Sequence, residues 1–169
     1  FQQGASMDLE SLAADREQAQ MEAALAEARQ AREAGQIGSA ATKMIALVED
    51  HGEEGAVAEE LDLVIDGIRE RDSQLDNESR ENAEELVQYA AMNQHHGAVS
   101  LLATWADEKN SPTAVAWNQR AAEQGDPEAM ARLGLYHSVG KHVTADVDQA
   151  VKWFTRAANH DQTDALYYL

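Results

Sequence analysis

The chain has 169 residues, with 31 acids against 13 bases, a net charge of −18 and no cysteine. That charge repels nucleic-acid phosphates and anionic headgroups, so neither a nucleic acid nor a membrane is an expected partner. The missing thiols exclude disulfides, thiolate nucleophiles and zinc–thiolate sites.

Aromatics make up only 5% of the chain, and Ala, Glu, Gln, Leu and Arg dominate. This composition favours helix and disfavours sheet. No apolar run approaches the ~18 residues that span a bilayer, and the acidic, amphipathic start is not a signal peptide. The compartment stays open, because lack of cysteine does not fix it. Residues 1–6 read as a tag remnant and stand outside the fold argument.

In chain order, residues 7–34 carry Leu9, Leu12, Met21, Ala24, Leu25, Ala28 and Ala31 among many charges, a long helix with a narrow apolar stripe. Gly35 and Gly38 are expected to break it. Residues 39–50 resume with Ala40, Ala41, Met44, Leu47 and Val48, and His51-Gly52 ends that helix. Residues 55–70 place Val57, Leu61, Val64, Ile65 and Ile68 at helical spacing, 72–77 is a polar loop, and a further helix covers about 78–93. Gly97 opens a helix to about 109. Ser111-Pro112 and Asp126-Pro127 each read as an N-cap followed by proline at the first helical position. Gly140 ends the next helix, Thr144 or Asp146 caps the one after, and Thr163 or Asp164 starts a last one that stops at Leu169. The expectation is eight or nine helices, short connections and no strands.

Self-similarity organises these helices. Ala90-Ala91, Ala121-Ala122 and Ala157-Ala158 are each followed, seven residues after the second alanine, by Ala98, Ala129 and Ala165. Upstream stand Ala83/Leu86, Ala114/Trp117 and Ala150/Trp153, and a fainter copy has Ala41, Met44 and Val48 before Ala56. Small residues let helices approach, and a large residue at fixed offset fills the space they leave. Each hairpin cannot bury its apolar face alone, so hairpins stack.

Residues 121–129, Ala-Ala-Glu-Gln-Gly-Asp-Pro-Glu-Ala, then Leu133-Gly134, Gly140, Val143, Asp146, Ala150, Trp153 and Ala157-Ala158, resemble the Sel-one-like repeat family, a branch of the tetratricopeptide-like helical repeats. The resemblance covers about 98–169; residues 7–96 are similar only to generic tetratricopeptide-type hairpins. Departures are His137 where the family has tyrosine (Tyr136 stands one residue early), His142 in place of a loop glycine, and a 97–126 unit without the glycine loop. The domain expectation is therefore N-terminal helices over 7–96 and repeats over 97–169, the last incomplete.

The resemblance implies an all-α solenoid of antiparallel helical hairpins, roughly four of them, in a right-handed superhelix. It implies a non-catalytic adaptor or scaffold that holds another protein or peptide on the face lined by the first helix of each hairpin, with no cofactor. Helix phase turns Ser100, Thr104, Asp107, Glu128, Leu135 and Ser138 outward on those helices. The acidic surface suits a basic partner. The competing reading is a self-assembling structural module, joined through its first helix or an open C-terminal end.

Other constellations carry less. His95 and His96 are adjacent and point to different helix faces. His137 and His142 straddle a turn, but zinc wants further ligands. Glu53-Glu54, Glu59-Glu60 and Glu84-Glu85 are expected on exposed helices, not in one cleft as acid–base work requires. No nucleophile elbow, phosphate-binding glycine loop or zincin motif appears, and Asp72 to Glu78 lacks the glycine of a calcium loop. The repeat register assigns Trp105, Trp117 and Trp153 to the core. No catalytic or metal site is expected.

Overall fold

The structure, a computed structural model, describes residues 3–160, with side chains from Leu9 onward. Among the described residues there are eight α-helices and no strand: α1 (Gln3–Glu33), α2 (Ile37–His51), α3 (Gly55–Arg71), α4 (Asn77–Met92), α5 (His96–Glu108), α6 (Ala114–Glu123), α7 (Pro127–Val139) and α8 (Val147–Ala158). A 3-10 turn, Asp72–Gln74, occupies the polar loop before α4. The helix expected from Thr163 or Asp164 lies outside the described residues. The chain forms two compact units, Phe1–Leu86 and Val87–Leu169, which divide inside α4.

In the first unit α1 packs on α2 and α3. Leu25, Ala28 and Ala31 of α1 are buried, but every side chain from Leu9 to Gln20 is exposed. The stripe expected to begin at Leu9 is thus covered only over its second half. Length explains this: α1 has 31 residues and α2 only 15, about 46 Å against about 22 Å.

Two details of this unit differ from the sequence reading. Gly38 does not break a helix; it lies buried within α2, where a Cβ would sit 2.6 Å from the Ser79 Cα of α4. Its smallness, not its flexibility, is used. Glu60 is not on a solvated face: it is 1% exposed, and its carboxylate accepts from Arg29 Nε at 3.2 Å and Arg32 Nε at 2.5 Å. A buried carboxylate is tolerable only with such partners, and these tie α1 to α3.

One turn recurs along the chain. The N–H groups of Gly35, Gln94, Asn110 and Gly125 reach back three residues, to the carbonyls of Arg32, Ala91, Asp107 and Ala122. The next N–H groups, of Gln36, His95, Ser111 and Asp126, reach back five, always to an alanine: Ala31, Ala90, Ala106 and Ala121. This bond pair closes a helix with one left-handed residue, and φ at those four residues is 77°, 66°, 48° and 94°. In three of the four, the residue after it is the N-cap of the next helix: Gln36, His95 and Asp126. Asp126 caps α7 by accepting from Glu128 and Ala129, and His95 Nδ1 caps α5 by accepting from Ala98 N–H at 3.3 Å.

Ser111 departs from its expected role. Its hydroxyl accepts from Thr113 N–H at 3.2 Å, so it shapes a turn, and α6 begins only at Ala114. The pre-proline residue is biased away from helix, and here two further residues pass before regular hydrogen bonding starts. Asp146 caps α8 through Gln149 N–H, and Gly140 ends α7 with φ 74°.

In the second unit α5 packs on α6, α6 on α7 and α7 on α8. Ala90, Ala91, Ala98, Ala114, Ala121, Ala122, Ala129, Ala150 and Ala157 are all buried, as the repeat register requires. Gly134 permits the α7–α8 approach, since a Cβ there would meet the Phe154 ring at 2.6 Å. Trp105 is core, but Trp117 and Trp153 are half-buried, each beneath the arginine three residues on: Arg120 at 4.9 Å and Arg156 at 4.6 Å from the ring centres. The register assigns these two rings to the core, but packing leaves them at its edge, where a cation covers the face left to solvent.

Candidate functional site

The first helices of the last two described hairpins, α5 and α7, run side by side in the same direction. Three links in ascending order establish this. Near the helix starts the Ser100 hydroxyl donates to the Asp126 carboxylate. Midway, Arg132 Nη1 donates to Thr104 Oγ1 at 3.1 Å. Near the ends the Tyr136 hydroxyl donates to Asp107. Ser100, Thr104 and Asp107 form one stripe on α5, and Glu128, Arg132, Leu135 and Ser138 form its neighbour on α7.

The six residues expected to face a partner are therefore brought together, but they are not equivalent. Glu128 and Ser138 are exposed and Leu135 is half-buried. Ser100, Thr104 and Asp107 are half-buried and engaged within the chain. Thr104 also donates to the Ser100 carbonyl at 3.1 Å, and Ser138 to the Leu135 carbonyl at 2.9 Å.

Asp107 is the centre of this face. Besides the Tyr136 hydroxyl, it accepts from Asn118 Nδ2 at 3.2 Å, and it pairs with Arg132 Nε at 3.6 Å and Lys141 Nζ at 3.7 Å. Asn118 is fully buried and donates also to the Ala114 carbonyl at 2.9 Å. Burial, together with the hydrogen bond and charge of Asp107, pushes the Tyr136 hydroxyl well above the ordinary tyrosine range, against a smaller opposing effect of Arg132. Arg132 is held from three sides, by Thr104, Asp107 and Glu128.

Sequence reasoning missed Arg132, Tyr136, Asn118 and Lys141. Two signals were available. Arg132 stands four residues after Glu128, the spacing of a helical ion pair, and a core tyrosine needs a partner for its hydroxyl. That the partner is Asp107 depends on which helices adjoin, which spacing alone does not state.

His137 is half-buried on α7, and His142 is exposed with φ 59°. Among the described residues no group of three or more His, Asp and Glu stands close enough to hold a metal ion. No helix among them is long and apolar enough to cross a membrane.

Comparison with known proteins bears on the same region. The family described as Sel1 repeat matches residues 107–126 and 127–162. The second of these spans α7, its turn and α8. A crystal structure of a Sel1 repeat protein from Oxalobacter formigenes is similar in fold, with a TM-score of 0.54 at 20% identity over 86% of this chain and 73% of that one. No curated protein matches the chain. The fold class is an all-α solenoid of helical hairpins.

Proposed function

Residues 107–162 match the Sel1 repeat, and from that premise we propose that the chain is a non-catalytic interaction module that holds another protein on the α5–α7 face. Sel1 repeats generally mediate protein–protein interactions. The observation that supports this face is the fixing of its side chains. Arg132, Asp107 and Thr104 are held by one another, so a partner that docks there does not have to order them. Ordering a long side chain on binding costs about 0.5–1.5 kcal/mol. Glu128, Leu135 and Ser138 stand beside this fixed centre as the contacts that reach outward.

The test uses the chain as bait in native extract beside a Leu135→Arg/Ser138→Arg variant of unchanged helicity. These two positions carry no inter-helix bond, so the substitutions alter the face without unlocking α5 from α7. The expected result is a protein retained by the parent and lost by the variant. A protein retained equally by both removes the site from this face. Recovery of the chain alone, with size rising with concentration, favours a self-assembling module.

A further inference from the structure

The projecting half of α1 has a different character. From Gln3 to Gln20 it extends about 27 Å, and every side chain from Leu9 to Gln20 is exposed. Leu9 is 69% and Leu12 63% exposed. Where this arm meets the end of α2 there is an open notch of about 830 Å³, whose lining joins the apolar Leu12, Ala13 and Ala24 to the acidic Glu17 and Asp50. A smaller hollow of about 200 Å³ shares Ala24 and Asp50 and adds Ala46 and Leu47, with room for an aliphatic side chain.

We propose that this notch in the first unit docks a basic amphipathic helix of a partner protein, at a site separate from the α5–α7 face. Leu12, Ala13 and Ala24, with Ala46 and Leu47 of the adjoining hollow, take the apolar side of that helix, as in other helix-in-groove complexes. Its positive side meets a surface of one sign. Residues 1–86 hold 22 of the 31 acids but only 7 of the 13 bases. From Met44 to Ile68 there is no lysine or arginine at all, and Glu49, Asp50 and Glu54 are exposed around the α2 terminus. That terminus is also the negative end of the α2 dipole. The rim lysine, Lys43, is held by Glu27 at 2.7 Å, which leaves Arg16 as the opposing charge at the notch. A second copy of this chain is the wrong occupant, because two bodies of charge −18 repel.

The experiment titrates the full chain into a labelled Leu/Lys amphipathic helical peptide of about 27 Å, matched to the arm. A scrambled peptide of the same composition and a Leu/Glu version run beside it. The patterned basic peptide is expected to bind about tenfold more tightly than the scramble, as burial of one or two leucines implies. Leu12→Arg, an exposed position whose change leaves the fold intact, and Asp50→Lys are each expected to weaken it about as much. Hydrogen-exchange protection is expected in residues 12–24 and 46–51. Equal binding of the scramble overturns the proposal, because attraction would then be charge alone. So does a parent dimer that Leu12→Arg dissociates, since the occupant is then a second copy. Loss of peptide binding in Leu135→Arg in place of Leu12→Arg moves the peptide to the α5–α7 face. Failure of the extract experiment there leaves the notch result standing.

Discussion

At Asp107 one carboxylate answers the donors of Tyr136, Asn118, Arg132 and Lys141, and this fixes the chemistry of its neighbours. The hydroxyl of Tyr136 is held protonated, so its folded pKa lies above the unfolded value. A group raised in this way contributes stability that is fully present below the unfolded pKa and is lost as pH rises through the folded one. For a tyrosine the loss begins at about pH 10. Tyr136→Phe is therefore expected to lower stability by about 1.5–3 kcal/mol at pH 7, the worth of a hydrogen bond to a charged group. Urea unfolding near pH 10.5 should show a smaller gap between parent and variant. A gap that stays constant with pH would mean that the hydroxyl does not titrate differently in the folded chain.

The recurrent helix-ending turn belongs to the scale of elements. Four helices end with the same pair of hydrogen bonds, yet the left-handed residue is glycine only at Gly35 and Gly125. Asn110 adopts that conformation with little strain, whereas Gln94 has φ 66° and a full side chain. Its carbonyl accepts from Gln124 Nε2 at 2.8 Å, a bond that needs no Gln94 side chain. Gln94→Gly should thus raise stability by about 0.5–1 kcal/mol, the strain relieved less the entropy glycine adds to the unfolded chain. Gly125→Ala should lower it by a similar amount. Thermal or urea unfolding of both variants checks the pair, and a destabilised Gln94→Gly would show that the turn stores no strain. In two of these turns the far acceptor is the first alanine of an Ala-Ala pair, Ala90 or Ala121, and each is both a buried contact and a hydrogen-bond acceptor at one point of the hairpin.

For the whole molecule, charge sets the main opposing force. Net charge of −18, with most of it in residues 1–86, works against compaction. Salt weakens both that repulsion and the ion pairs, but exposed pairs are each worth only about 0–1 kcal/mol. The repulsion therefore wins the comparison. Raising sodium chloride from about 0.01 M to about 1 M shortens the screening length from about 30 Å to about 3 Å, and Tm is expected to rise. Each kcal/mol gained corresponds to about 2–4 °C in a chain of this size. A Tm that falls with salt would show that the ion pairs, Glu60 with its two arginines foremost, outweigh the repulsion.

The helices, most of their ends and the repeat that stacks them were legible in the residues alone. Those follow from local causes: helical spacing of apolar residues, caps at Asp126 and Asp146, and left-handed glycines at Gly35, Gly52 and Gly140. Whatever depends on which helix adjoins which was left to packing. It turned Gly38 from a breaker into a contact, buried Glu60, moved Trp117 and Trp153 to the core's edge, and left the first half of α1 uncovered. It also set Ser100, Thr104 and Asp107 against Asp126, Arg132 and Tyr136. Periodicity states which face of a helix is apolar or polar. What lies opposite that face, 26 to 29 residues away along the chain in these pairs, is fixed by packing.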